Sequence, residues 1–347
     1  MSKPSLADCI HLKFSEKIVE WFQLNGRKNL PWQAQKGQKV SPYHVWLSEI
    51  MLQQTQVIKV MDYFDRFITA LPTLKDLADA DEQLVLSLWS GLGYYNRAKN
   101  LHKSAKLCQL KYNNKLPGDL GQLIELPGIG RSTAAAIMSL AFNQAEPIMD
   151  GNVKRVFSRH FLVSGEPNKS STLKQLWLLA EEHREQNNPA AYTQGLMDLG
   201  ATVCTKHKPK CDQCPLNQTC SAKSQGVIAA YPEKKRKVKQ KEVDMYCLLS
   251  VKNNQVALAP RGNGGIWPDL WFLPTFESEK LLKRTDTSAK VQFSLTHKLT
   301  HRILHLHIYT IGQAIQLNDW VWVERKSLTD KPHPKALIHI LEQHDNH

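Results

Sequence analysis

Leu126-Pro127-Gly128-Ile129-Gly130-Arg131 separates two stretches of helical spacing, 119–125 and 131–141. The order is helix, L-P-G-I-G-R, helix, with no strand in front. Its glycines permit positive φ and leave backbone amides bare. Together with the N-terminus of the following helix, those amides make a seat for an anion such as a phosphate. A tight helix–helix turn without a ligand reads the same way. The absence of a preceding strand argues against a dinucleotide-binding fingerprint.

Working outward, apolar residues recur at helical spacing in 14–24, 42–57, 60–70, 81–89, 97–110, 152–161, 171–185 and 189–199. Ser41-Pro42 is an N-cap followed by proline at the first helical position, and Pro117-Gly118-Asp119 opens another helix. Residues 1–222 therefore read as one domain of helices and loops. From 223 to 242 the composition becomes basic, with Lys234, Lys235, Arg236, Lys237, Lys239 and Lys241 crowded together as a linker. After 243 the period turns to two. Met245–Val251, Gln255–Pro260, Lys290–Leu299, Arg302–Ile311 and Trp320–Glu324 read as strands, Asn253-Asn254 as a hairpin turn and 334–343 as a closing helix. Residues 243–347 thus form a separate α+β domain. His305 and His307 share one strand face, which suits exposed side chains better than a metal pair.

The chain has 347 residues, 42% apolar and 22% charged, close to an ordinary globular enzyme. Its longest near-continuous apolar run, Ala134–Phe142, falls far short of a membrane span. The N-terminus lacks a secretory pattern, so a reducing cytoplasm is expected. Forty-five Lys+Arg against 32 Asp+Glu leave +13, an excess that favours a polyanionic partner or serves solubility alone.

Four of the seven cysteines, Cys204, Cys211, Cys214 and Cys220, occur in the spacing C-x6-C-x2-C-x5-C. Four thiolates can close a tetrahedral zinc site or hold a [4Fe–4S] cluster. A single short C-x2-C knuckle in one compact loop favours the bulkier cluster. Lys206, His207, Lys208 and Lys210 make that loop basic. Two carboxylates also stand out. Glu49 interrupts the apolar helix Val45–Val57, where burial raises a pKa and suits a proton donor, although a salt-bridged helix position reads alike. Asp150 ends an apolar approach before Gly151-Asn152. It is an N-cap, or a carboxylate kept ionised by amides and able to face a developing cation. One protonated and one ionised carboxyl is what glycosidic cleavage requires.

Helix–L-P-G-I-G-R–helix, then Asp150, then C-x6-C-x2-C-x5-C resembles the helix-hairpin-helix DNA glycosylases of the endonuclease III superfamily. Within it, Trp46–Gln56, Gly91–Ala98 and Asp150–Arg155 resemble the MutY adenine DNA glycosylases. The likeness runs from about residue 14 to the C-terminus. It implies a multidomain chain: an all-α helix-hairpin-helix glycosylase core with a [4Fe–4S] loop at 204–220, then an α+β Nudix-like C-terminal domain that reads 8-oxoguanine. It implies excision of adenine mispaired with 8-oxoguanine or guanine in double-stranded DNA, with an abasic site left behind. Glu49 matches the acid that protonates adenine N7, Asp150 the carboxylate that stabilises the oxocarbenium ion, and Asn152 the residue supporting it. Gln54, Leu92 and Tyr94 match residues that wedge into the duplex. Thr55, Leu126, Gly128, Gly130, Ser132 and Lys154 fall within the DNA-contacting motifs. In bifunctional relatives a lysine follows the hairpin. Ser132 stands there, so the resemblance implies hydrolysis only, with at most a weak lyase signal through Lys154. Gly264–Pro274 carries the Nudix-like resemblance, yet the Nudix box for diphosphate hydrolysis is missing. Where the family has Phe-Ser-His for 8-oxoguanine, this chain has Leu299-Thr300-His301: the hydroxyl and imidazole are kept and the aromatic wedge is lost. A monomer acting at the bacterial nucleoid is expected. Relatives contact replication and mismatch-repair factors, and no motif here identifies such a partner.

Overall fold

The computed structural model of the chain describes residues 6–33, 39–234, 240–262, 264–285, 287–311 and 320–346, with side chains from Phe14 onward in the first helix. Two compact units emerge: Met1–Asp79 with Asn100–Arg236, and Ala80–Lys99 with Lys237–His347. Ala80–Lys99 is grouped with the C-terminal part of the chain, and its polar side chains bond there. The Ser90 hydroxyl lies 3.3 Å from the His333 carbonyl oxygen, and the Tyr95 hydroxyl lies 2.5 Å from it. Residues 235–239, most of the basic linker, lie outside the described residues.

The first unit is helical. Pro42–Leu52 starts where the Ser41 hydroxyl accepts the His44 amide at 3.3 Å, and Leu120–Ile124 starts where Asp119 accepts the Gln122 amide at 2.9 Å. Arg131–Phe142 follows the glycine turn and ends on Asn143 in the left-handed region (φ 53°). One core gathers Phe14, Ile18, Ala135, Val153, Phe157, Leu176, Leu196 and Leu199. Each apolar position comes from a helix whose period the sequence shows. Each fully buried Leu, Ile or Phe contributes about 1.5–3 kcal/mol. Three helical extents differ from expectation. The first helix begins at Leu6; the run 42–57 is broken, one helix ending at Leu52 and the next beginning at Val57; and Leu74–Asp79 forms a short helix, with Asp76 accepting the Thr73 amide at 3.0 Å.

In the second unit, one sheet has the order Thr275–Phe276, Lys241–Leu249, Arg302–Thr310, Lys290–Lys298. The central pair is parallel, with Asp244 opposite His305; its outer neighbours are antiparallel. The second sheet builds on Gln255–Pro260, which pairs with Val251–Lys252, Trp271–Phe272 and Val321–Glu324. Asn253 and Asn254, at φ 49° and 61°, make the expected hairpin turn. Helix Lys335–Asp345 lays Leu337 and Ile340 onto Leu304, Leu306 and Ile308. Trp267 and Trp271 pack against this core. Among the described residues no helix is long and apolar enough to cross a membrane.

Candidate active site and cysteine loop

The helix Pro42–Leu52 is buried on nearly every side by Val45, Trp46, Leu47, Ile50 and Met51. Glu49, with Leu52 at the end of the helix, opens onto a cavity of about 470 Å3. Asp150, Asn152, Thr55, Ser132 and Gln194 line the same cavity. Its volume lies in the usual range for small-molecule sites. Two acids from distant segments thus share one cavity that opens to solvent. Burial, and secondarily the charge of Asp150, push the Glu49 carboxyl up to about 7. Glu49 is the natural carrier of a proton near neutrality.

Asp150 caps helix Gly151–His160. Val153 N–H donates to its Oδ1 at 2.7 Å, and Asn152 Nδ2 donates to its Oδ2 at 3.1 Å. Those bonds, with the nearby Arg155 guanidinium, favour the ionised form, but burial outweighs them and the pKa is raised overall. The sequence-based expectation of a carboxylate held ionised by amides is thus met by the bonds and opposed by the burial. Arg155 extends the network. Its Nη2 donates to Asn152 Oδ1 at 2.8 Å and to the Gly200 carbonyl at 2.7 Å, while Nε donates to the Cys204 carbonyl at 2.7 Å. Gly200 is required here, since a Cβ would stand 2.5 Å from Asn152 Cβ.

Ser132 Oγ accepts the Met149 amide at 2.9 Å, which stitches the hairpin helix to the approach of Asp150. Lys154 Nζ donates to Asn168 Oδ1 at 2.8 Å; burial lowers its pKa and Asp150 opposes the shift. Leu126 is buried and anchors the hairpin, whereas Gly128 and Gly130 are exposed. Gly128 has φ 81°, and a Cβ there would meet Asn100 Cβ at 2.8 Å. Gln54 is exposed at φ 59° just past its helix. Leu92 is 5% exposed and Tyr94 47%, so of these two expected wedge residues only the tyrosine is presented. Leu299-Thr300-His301 forms the turn between two strands, closed by Leu299 N–H to the Arg302 carbonyl at 2.8 Å, with Thr300 and His301 exposed.

Sequence reasoning missed Arg27, Gln194 and Asp198. Buried Asp198 accepts Arg27 N–H at 2.8 Å, Arg27 Nε at 3.0 Å and Gln194 Nε2 at 2.9 Å. This pins Arg27 and Gln194 on the cavity wall. A lone aspartate in the apolar run 189–199 was the available signal; its partner, far away in the chain, gave none.

Cys204, Cys211, Cys214 and Cys220 are free thiols lining one cavity with Val156, Leu199 and Leu216. Among the described residues no three His, Cys, Asp or Glu side chains stand as a single metal ion would need them. Four sulfurs around an apolar hollow fit a larger group. Buried Arg159 stands beside them, with Nη1 donating to Cys204 Sγ at 3.5 Å, and backbone amides approach Cys214 and Cys220. Such donors suit an anionic thiolate set. His305 and His307 pair with Glu242 at 3.2 Å and Asp244 at 2.9 Å.

A helical hairpin whose following helix brings Ser132 to the cavity of Glu49 and Asp150, in a unit that also carries the four-cysteine loop, is the arrangement of a helix-hairpin-helix glycosylase. Residues 47–182 match the family model described as HhH-GPD superfamily base excision DNA repair protein, and 245–343 match that of a NUDIX domain. The chain is similar to the adenine DNA glycosylase of Buchnera aphidicola subsp. Acyrthosiphon pisum, at 40% identity over 85% of each chain. It is 36% identical to that of Buchnera aphidicola subsp. Schizaphis graminum, over 95% of this chain and 98% of the relative. A thermostable thymine-DNA glycosylase of known structure superposes with a TM-score of 0.56 at 27% identity, covering 64% of this chain and all of that one. The chain belongs to the adenine DNA glycosylase family.

Proposed function

We propose that this protein hydrolyses the N-glycosidic bond of adenine mispaired with 8-oxoguanine or guanine in double-stranded DNA, leaving an abasic site. The observation that carries this reading is the pair Glu49 and Asp150 on one cavity, with Glu49 pushed up to about 7. The target base leaves the stack and enters the cavity, since its glycosidic bond is out of reach within the duplex. Glu49 donates its proton to adenine N7. The C1′–N9 electron pair then departs with a neutral base. Asp150, held by Val153 N–H and Asn152, faces the positive charge that develops on the sugar. Water adds to C1′, and its proton restores a carboxyl in the site. Ser132 offers no amine for attack on C1′, so the strand stays intact.

Cys204, Cys211, Cys214 and Cys220 hold a [4Fe–4S] cluster in this reading, supported by the donor set and the apolar cavity. The cluster supplies a rigid cross-link of the loop and a group able to store an electron. The hairpin amides at Gly128 and Gly130 seat a backbone phosphate, and the exposed turn Thr300-His301 reads the base opposite the adenine. Gln54, Thr55 and Lys154 lie along the same DNA-contacting motifs. Chromatographic assay of free base tests the proposal: adenine is released from duplexes with A opposite 8-oxoguanine or guanine and not from A opposite T. Release from A opposite T at the same rate, or of another base, contradicts it.

A further inference from the structure

Tyr94 is held in the left-handed region (φ 52°) and is 47% exposed, its hydroxyl 3.2 Å from Thr300 Oγ1. A non-glycine residue keeps that conformation only where its surroundings determine it. Within the unit that contains Ala80–Lys99 and the C-terminal strands, the determinants can be traced bond by bond. Gly91 N–H donates to the Tyr95 hydroxyl at 3.0 Å, and the Tyr95 O–H donates to the His333 carbonyl at 2.5 Å. Ser90 Oγ lies 3.3 Å from the same carbonyl and accepts His333 N–H at 3.3 Å. Trp89 Nε1 and Arg97 Nη2 close the loop by donating to the Gly93 carbonyl at 3.2 and 2.9 Å. His333 is itself fixed. It is 6% exposed, its Nδ1 bonds the Lys331 carbonyl at 2.7 Å, and the adjacent Pro332 carbonyl accepts Trp271 N–H at 2.7 Å.

We propose that Tyr95 is a positioning residue for excision: its hydroxyl bridges the Gly91 amide and the His333 carbonyl, and so holds the loop in the shape that presents Tyr94 to the duplex. This rests on the reading of Tyr94 as a wedge. One oxygen both accepts and donates here, and the part proposed for it is geometric. The segment that leads into the helix Lys335–Asp345 thereby sets the pose of a loop more than two hundred residues upstream.

The test is a double-mutant cycle with Tyr95→Phe, which keeps the ring and removes the hydroxyl, and Tyr94→Ala. Single-turnover excision of A opposite 8-oxoguanine is read together with the fluorescence of 2-aminopurine placed at the target, which reports unstacking. Tyr95→Phe is expected to slow excision and to weaken the fluorescence rise, each by roughly 10-fold or more, as misplacement of positioning groups does. Its pH profile stays that of the unsubstituted protein, because Glu49 and Asp150 are untouched. The double variant is no slower than Tyr94→Ala, because both act through one side chain. Full excision by Tyr95→Phe alongside a defective Tyr94→Ala overturns the inference and leaves the wedge intact. Multiplicative losses also overturn it. Tyr94→Ala without effect removes the wedge reading and this inference with it. Ser90→Ala, which breaks the second link and disturbs no ring, is measured in the same way if Tyr95→Phe does not fold. A slower Ser90→Ala supports the inference and an unchanged one overturns it.

Discussion

Glu49 and Asp150 line one cavity but are held differently, and the difference supports the roles proposed for them. Glu49 has burial and a neighbouring negative charge acting in the same direction, and its pKa reaches about 7. Asp150 has burial opposed by three hydrogen bonds, from the Val153 and Asn152 amides and the Asn152 side chain, and by Arg155. As pH rises through about 7, Glu49 loses the proton it must donate, so excision should fall on the alkaline side; protonation of Asp150 should reduce it on the acid side, giving a bell-shaped profile. Glu49→Gln should lower the single-turnover rate by roughly 10²–10⁴-fold. It should also raise stability at pH 8. A carboxyl whose pKa is raised on folding favours the fold below its unfolded pKa, and that contribution is lost as pH rises through the folded value. Removing the charge should therefore stabilise by about 1–3 kcal/mol at pH 8 and by far less at pH 5, measurable as Tm. Arg155→Ala would leave Asn152 Oδ1 and the Gly200 and Cys204 carbonyls without this donor. We expect excision to drop by roughly 10–100-fold, with little recovery in Arg155→Lys, because lysine lacks the fork that reaches three acceptors.

Among the elements, the hairpin gives the sharpest prediction. Gly128→Ala forces a Cβ into the left-handed region and against Asn100. The cost should be about 1–3 kcal/mol, read as weaker DNA binding and a lower Tm. Cys214→Ser should reduce the iron content and make residues 204–220 sensitive to protease, while helical circular dichroism of the core persists. Reading elements from sequence works where one face repeats. The run 131–141 and the alternation in 302–311 correspond closely to the helix Arg131–Phe142 and the strand Arg302–Thr310. It fails where pairing depends on a partner: Trp271–Phe272 and Thr275–Phe276 are two-residue strands whose period cannot be seen. At the site, Glu49 and Asp150 are visible as acids in apolar settings. The Arg27–Asp198 contact is not, because only folding brings those positions together.

For the whole molecule, the net charge of +13 sets how binding responds to ions. The logarithm of the DNA association constant should fall linearly with the logarithm of salt concentration, by about 0.9 per phosphate contacted. Glu49→Gln should keep that slope, since it alters chemistry inside the cavity and no phosphate contact. The grouping of Ala80–Lys99 with the C-terminal strands was hidden from a linear reading. Bonds from Ser90 and Tyr95 to His333 are among the links, and they join residues far apart in the chain.

The most direct measurement uses an end-labelled duplex with a single A opposite 8-oxoguanine, incubated with the protein and divided before treatment with or without alkali. The account predicts breakage at the adenine only after alkali, and its loss in Glu49→Gln that still binds the duplex. Breakage without alkali as complete as breakage after it would assign lyase chemistry that Ser132 cannot supply and that exceeds the weak signal expected through Lys154. Intact strands in both halves, with binding retained, would contradict the assignment of Glu49 and Asp150 as a working pair.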